Sequence, residues 1–300
     1  MHLTMSRGQA RAAAAFTALA LLLAAVVVAF DTRTSPVHGA GRAADGQDAT
    51  RVLAAANATR KSLRGKKATV VLVHGAFADA SGWTDVQSRL LDRGYTVHAW
   101  ANPLRGVSSD GEYLRSFLGT IAGPIILVGH SYGGAVITQA STGNENVVSL
   151  VYVAAYALAN GETVAQANEL GGGHSDVIDS ITVRPYPGAP EGDGDATIQP
   201  SRFRNVFAQD LPHRVTRTMA TAQRPATLSS LVIPAGEPGY KTIPSYFLVA
   251  KEDRVIPPQA QAAMAQRAGA RTSTYKSSHA LLITRAKSVT DQILLADQQH

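Results

Sequence analysis

The 300-residue chain has no cysteine, and that absence removes disulfide staples, a thiolate nucleophile and sulfur-based metal sites together. It leaves the compartment open, since a chain without thiols is compatible with an oxidising space. Charge is sparse as well, at 17% of residues against 45% hydrophobic ones, the ordinary balance of an enzyme-sized domain with a substantial core. The net charge of +6 is not spread over the chain. Residues 1–67 carry ten Lys/Arg against three Asp/Glu, while residues 68–300 carry eighteen against nineteen. A nucleic-acid partner needs a basic face on the fold; the basicity here is confined to the N-terminal segment, so no nucleic-acid partner is expected. Internal repeats are absent too.

The first 30 residues contain a long apolar run, Ala12 to Phe30, broken only by Thr17 and preceded by Arg7 and Arg11. A positive flank before an apolar core is the pattern of a secretory signal. The run also approaches the roughly 20 residues that span a bilayer. Residues 1–30 are therefore expected to be a cleaved signal or a membrane anchor, with the domain that follows secreted or held outside the cytoplasm. Residues 31–67 are poor in large apolar side chains and read as a flexible tether, with a short helix around Arg51–Ser62. The domain proper is expected over 68–300.

Its organising stretch is Ile125-Ile126-Leu127-Val128 followed by Gly129-His130-Ser131-Tyr132-Gly133-Gly134. A β-branched and aliphatic run breaks into G-x-S-x-G and then into small, helix-compatible residues, the strand–turn–helix setting that such a serine needs. A serine hydroxyl is a weak nucleophile and must be presented to a base by a sharp, strained turn. Glycines on either side keep Cβ atoms out of that turn. Ser131 is the candidate nucleophile.

Strands and helices alternate around it. Strands are expected at Ala68–Val73, Tyr95–Trp100, Ile125–Val128, Val147–Val153, Ser245–Val249 and Arg271–Lys276. Helices are expected from Ser81 to about Asp92, at Asp110–Thr120, Ser131–Ser141 and Pro257–Ala268, and from about Thr284 to Ala296. That rhythm predicts a parallel α/β sheet of about six strands with helices on both faces. The rhythm breaks over 157–243, which carries Gly171-Gly172-Gly173, Pro185-Tyr186-Pro187 and only short helical pieces. Eighty-odd residues exceed a plain loop, and the stretch is expected to form a cap over the strand ends. Phe203, Phe207, Met219 and Tyr240 within it belong to the core or line a pocket.

The nucleophile needs a base and a group that orients the base, in the chain order Ser, acid, His. His174 and His213 fall in the cap and His300 ends the chain, whereas His279 directly follows the last strand. It is the candidate base. Asp253 stands three residues after a strand end and is the favoured acid; Glu252 beside it belongs to a charged cluster, and Glu162 is the other candidate. His130 is expected to pack and hydrogen-bond rather than act as base. After the first strand, His74-Gly75-Ala76-Phe77 forms a turn whose Ala76 N–H could serve an oxyanion hole.

These pieces together, His74-Gly75-Ala76, Gly129–Gly134, Glu252-Asp253-Arg254-Val255-Ile256-Pro257 and Ser278-His279-Ala280, resemble the α/β-hydrolase superfamily over about Ala68 to Gln292. Within it the chain is similar to small serine esterases of the plant methylesterase and hydroxynitrile lyase group. The resemblance implies an α/β-hydrolase fold with an inserted cap, Ser131, His279 and Asp253 as catalytic triad, and backbone N–H groups of Ala76 and Tyr132 as oxyanion hole. It implies a small-molecule ester as substrate and no metal or organic cofactor. Hydroxynitrile lyases carry a lysine after the histidine and a threonine in the first turn. Here Ala280 and Gly75-Ala76 occupy those places, which argues against lyase chemistry. The remaining alternatives are a cofactor-free perhydrolase or haloperoxidase working on the same triad, and a non-catalytic ligand-binding protein of the same fold.

Overall fold

The computed structural model describes residues 62–63 and 65–300. The expected signal or anchor, most of the tether and nearly all of its short helix lie outside the described residues. Among the described residues no helix is long and apolar enough to cross a membrane. Residues 65–189 and 193–300 belong to one compact unit.

Six strands form one sheet: β1 (Thr69–Val73), β2 (Val97–Trp100), β3 (Ile125–Ser131), β4 (Val147–Ala155), β8 (Ser245–Ala250) and β9 (Arg271–Tyr275). Their spatial order is β2-β1-β3-β4-β8-β9, and every neighbouring pair is parallel. Parallel pairing requires crossovers. The helices that supply them are α1 (Thr84–Leu91, entered through a 3-10 turn at Ala80–Trp83), α2 (Val107–Leu118), α3 (Tyr132–Ala140) and α8 (Pro258–Arg267). A single turn α9 (Leu281–Thr284) and the long α10 (Ala286–Gln298) close the chain.

The central strands are mostly apolar and almost wholly buried because both faces are covered. Alternate residues go to opposite sides. Val71, Val73, Ile125 and Leu127 join the core beneath α2 and α3, while Val70, Leu72, Ile126 and Val128 meet Trp83 of the 3-10 turn, Leu90 of α1, and Val289 and Ile293 of α10. Each such fully buried aliphatic side chain contributes about 1.5–3 kcal/mol. From β1 the chain moves outward to β2, and after β3 it moves the other way to β4. The sheet therefore changes direction between β1 and β3, and the crevice beyond their carboxyl ends is where ligands bind in sheets of this kind. The residues following β1 and β3 meet there.

Two expectations need correction. Helix α2 starts at Val107, three residues before Asp110, because Asp110 acts from inside the first turn: its carboxylate accepts the N–H groups of Arg105 and Gly106. The inserted stretch also holds more than short helices. Between β4 and β8 lie α4 (Val164–Ala167), α5 (Pro200–Phe207), α6 (His213–Thr221) and α7 (Ser229–Val232), together with a three-stranded antiparallel sheet. That sheet pairs β5 (Ile181–Arg184) with β6 (Asp195–Ile198), and β6 with β7 (Ala226–Thr227). Strands of two to four residues, far apart in sequence, leave too short a pattern to read.

Candidate active site

Strand β3 runs through Ser131, and α3 begins at the next residue. At this junction Ser131 takes φ 54° and ψ −128°, a region avoided by residues that carry a Cβ. Holding it there costs about 1–3 kcal/mol, supplied by the packed strand and helix on either side. Gly133 makes the turn possible: a Cβ there would lie 2.4 Å from the Val73 carbonyl oxygen. Gly75 does the same on the facing loop, where a Cβ would lie 2.5 Å from Ser131 Cβ. The loop after β1 thus passes directly against the serine.

His279 follows β9 and is wholly buried. Its Nδ1 lies 2.7 Å from Oδ2 of Asp253, which stands just after β8. The Asp253 carboxylate also accepts the N–H groups of Val255 at 2.8 Å and Ile256 at 2.9 Å, and the Gln261 side-chain amide at 2.8 Å. With all these groups donating to it, Asp253 is an acceptor, so Nδ1 of His279 carries the proton and Nε2 presents a lone pair. Nε2 is buried and has no hydrogen-bond partner among the described residues, the Ser131 hydroxyl included. Catalytic hydrogen bonds often tighten only when substrate is present.

His130, the chain neighbour of Ser131, donates from Nε2 to the His279 carbonyl at 2.9 Å, and the two rings lie 4.6 Å apart. Burial, and next the repulsion of any charge on His279, hold His130 well below the ordinary histidine value. It is a neutral brace. Phe207 of α5 meets His279 edge-on at 4.8 Å from the other element packed here.

The remaining sequence candidates lie elsewhere. Glu162 pairs with Arg267, and Glu252 lies at 3.8 Å from the exposed Lys276. His300 is near Asp297 and the Lys66 carbonyl. Phe203 and Tyr240 are core residues. Ala76 sits in the turn beyond Gly75, and Tyr132 is the first residue of α3, where an N–H has no partner within its helix. The positive end of the α3 dipole favours negative charge at that point.

The turn carrying Ala76 is fixed by His74. Asn102 donates its backbone N–H to His74 Nε2 at 3.0 Å, which leaves the ring proton on Nδ1 to reach the Gly75 carbonyl at 3.0 Å. Burial keeps this ring below the usual value, as its acceptor role requires. A cavity of about 280 Å³ lies alongside, with Phe77, Met219, Val215 and Ile283 among its walls and Asp79 and Asp85 among its polar lining. Ser131 and His279 are not part of that lining, but Phe77 stands only two residues beyond Gly75, within about 7 Å along the chain.

Several contributors were not legible in the sequence. Gln261 reaches Asp253 from one turn into α8. Gln209 donates to the Glu252 carbonyl, Arg254 to the Asn205 side chain, and the Ser278 N–H to Asp210, so residues 205–210 touch both loops that hold the buried pair. No local motif marks them, because topology alone brings them near. Among the described residues no cluster of His, Asp or Glu is arranged to hold a metal ion.

A family model described as "Alpha/beta hydrolase family" matches residues 70–292, and the chain belongs to that family. A chloroplastic protein of Arabidopsis thaliana with the provisional name methylesterase 11 is 23% identical over 204 residues, covering 62% of this chain and 52% of its own length. The chain thus spans about half the length of that relative. Among solved structures it is similar to a pyrethroid hydrolase from Sphingobium faniae, with a TM-score of 0.65 and 22% identity over 77% of this chain and 98% of the other. It is also similar to polyneuridine aldehyde esterase, with a TM-score of 0.64 and 19% identity over 76% and 98% of the two chains.

Proposed function

We propose that the chain is a serine hydrolase of carboxylic esters, with Ser131 as nucleophile, His279 as general base and Asp253 as the group that orients it. The observation that carries this reading is the buried 2.7 Å contact between His279 Nδ1 and Asp253, which leaves Nε2 without a partner on a ring 4.6 Å from that of His130, the chain neighbour of the strained Ser131. In the first step Ser131 Oγ attacks the ester carbonyl and its proton passes to His279 Nε2. The carbonyl oxygen becomes an anion, received by the N–H groups of Ala76 and Tyr132. His279 then protonates the departing alkoxide, leaving an acyl-serine, and water activated by the same nitrogen releases the acid.

Asp253, accepting from His279 Nδ1, steadies the imidazolium. Each oxyanion donor is worth about 3 kcal/mol in the transition state. The names of the similar proteins (an esterase, a methylesterase and a pyrethroid hydrolase) support an ester as substrate. The insertion over 157–243 serves as the cap, and the largely apolar cavity beside the Ala76 turn suits an uncharged group of the ester.

The test is Ser131→Ala with an activated ester, beside labelling of both proteins by a fluorophosphonate. Loss of hydrolysis and of labelling is expected, and unchanged hydrolysis by the variant would refute the assignment. A wild-type protein that neither hydrolyses esters nor accepts the label would point instead to a ligand-binding member of the family.

A further inference from the structure

Asp110 is a buried carboxylate for which the proposed reaction has no direct use. It is 1% exposed and faces inward from α2. Its oxygens accept the Tyr132 hydroxyl at 2.9 Å, the Arg105 N–H at 3.0 and 3.2 Å and the Gly106 N–H at 3.4 Å. The Arg105 guanidinium lies instead on Asp195 of β6 at 2.5 Å. Burial raises the Asp110 carboxyl above its usual range despite these donors.

A lone buried carboxylate is costly to desolvate, and an apolar side chain of similar volume would fill the space between α2 and α3 without that cost. What the carboxylate does that a leucine could not is accept the Arg105 and Gly106 N–H groups and, across to α3, grip Tyr132. The phenol lies in the core at 2% exposure, so its ring and hydroxyl are both fixed. Since Tyr132 opens α3, anchoring its side chain limits how far its own peptide plane can turn.

We propose that Asp110 is a positioning residue that aims the Tyr132 N–H at the oxyanion, an inference that rests on the ester-hydrolase reading. The same grip extends to the insertion. Leu104, at φ 63°, accepts the Thr227 N–H of β7, and Arg105 holds Asp195 of β6, so the loop 104–106 is fastened to the insertion on one side and to Asp110 on the other. A movement of the small antiparallel sheet reaches the oxyanion donor through one carboxylate.

The test compares Tyr132→Phe, Asp110→Asn and the double variant on an activated ester, with active sites counted by fluorophosphonate titration. Removing a whole oxyanion donor lowers kcat about 100- to 1000-fold. Loosening one is expected to lower kcat per titrated site about tenfold in each single variant while KM stays within about threefold. The double variant is expected to be no worse than the poorer single, since both substitutions act on the shared Asp110–Tyr132 contact. A purely structural role would reduce the folded, titratable fraction and leave kcat per site unchanged, and that result overturns the proposal. So does additivity of the two losses. If Asp110→Asn fails to fold, Tyr132→Phe decides alone, because it removes a single oxygen from the core. Should Ser131→Ala remain active, the hydrolase reading itself falls; should it be inactive while Tyr132→Phe keeps full kcat per site, only the positioning role falls.

Discussion

Replacing Gly75 by alanine tests the site at its tightest point. The added Cβ would lie 2.5 Å from Ser131 Cβ, 2.9 Å from the His130 carbonyl oxygen and 3.0 Å from Ser131 Oγ. Ordinary contact for such an atom begins at 3.4 Å, so Ser131 and the β1 loop must separate by 0.9 Å at Cβ. Turning the Ser131 hydroxyl aside does not relieve the clash, because Ser131 Cβ and the His130 carbonyl oxygen cannot swing away. The His74–Asn102 hydrogen bonds resist movement on the loop side, and the β3 ladder resists it on the other. A displacement near 1 Å at a reacting group costs about 100-fold in rate, or about 2.7 kcal/mol of barrier. Overpacking a core site destabilises by about 1–3 kcal/mol. Gly75→Ala should therefore stay folded at 25 °C, unfold at lower urea concentration, and hydrolyse an activated ester about 100-fold more slowly. A folded variant with wild-type kcat would show that the serine and this loop do not share the constraint described.

Acid pH and cavity filling supply two further tests. His74 and His130 both titrate below the ordinary histidine value, chiefly through burial. Below about pH 6.5 the unfolded chain therefore binds protons that the folded one refuses, and stability should fall as the pH drops from 7 to 5, read as a declining urea midpoint. A flat midpoint would contradict the buried neutral rings. Asp110 acts with the opposite sign. Its raised carboxyl keeps a proton that the unfolded chain has already lost, so its contribution weakens as the pH rises from about 4 through the raised value, and Asp110→Asn should remove that component. Met219→Trp should narrow the cavity beside Phe77. In a panel of esters varied on the acyl and alcohol sides, kcat/KM should fall at least about tenfold for bulky groups and little for the smallest; an unchanged size preference would separate that cavity from the substrate path.

Much of the core was legible because its signals are local. Ile125–Val128 could only be a strand buried on both sides, and the glycines at 129 and 133 announced the turn within five residues. Asp253 and His279 could be picked by chain order, since each follows a strand, and the structure puts their side chains 2.7 Å apart. Asp110 was read only as the start of a helix, because the groups it holds are Tyr132, 22 residues away, and main-chain N–H groups that carry no residue identity. Gln261 and Asp210 escaped for the same reason. The three-stranded sheet of the insertion escaped differently: Ile181-Thr182-Val183 has the right residue types, but its partner β6 starts at Asp195, beyond a proline- and glycine-rich stretch that reads as loop.

The sheet also divides the site by how readily its parts can open. Strand β3, which ends in Ser131, is buried along its whole length and sits in the middle of the strand order. Strand β9, which leads to His279, is the outermost strand, and none of its residues is fully buried. Amide protons should accordingly exchange last around Ser131 and early along β9, since edge elements with few buried contacts open at a fraction of the global free energy. The elbow and β9 are therefore expected to open separately. On warming, β9 is expected to fray while the elbow stays closed and the bulk of the sheet stays paired.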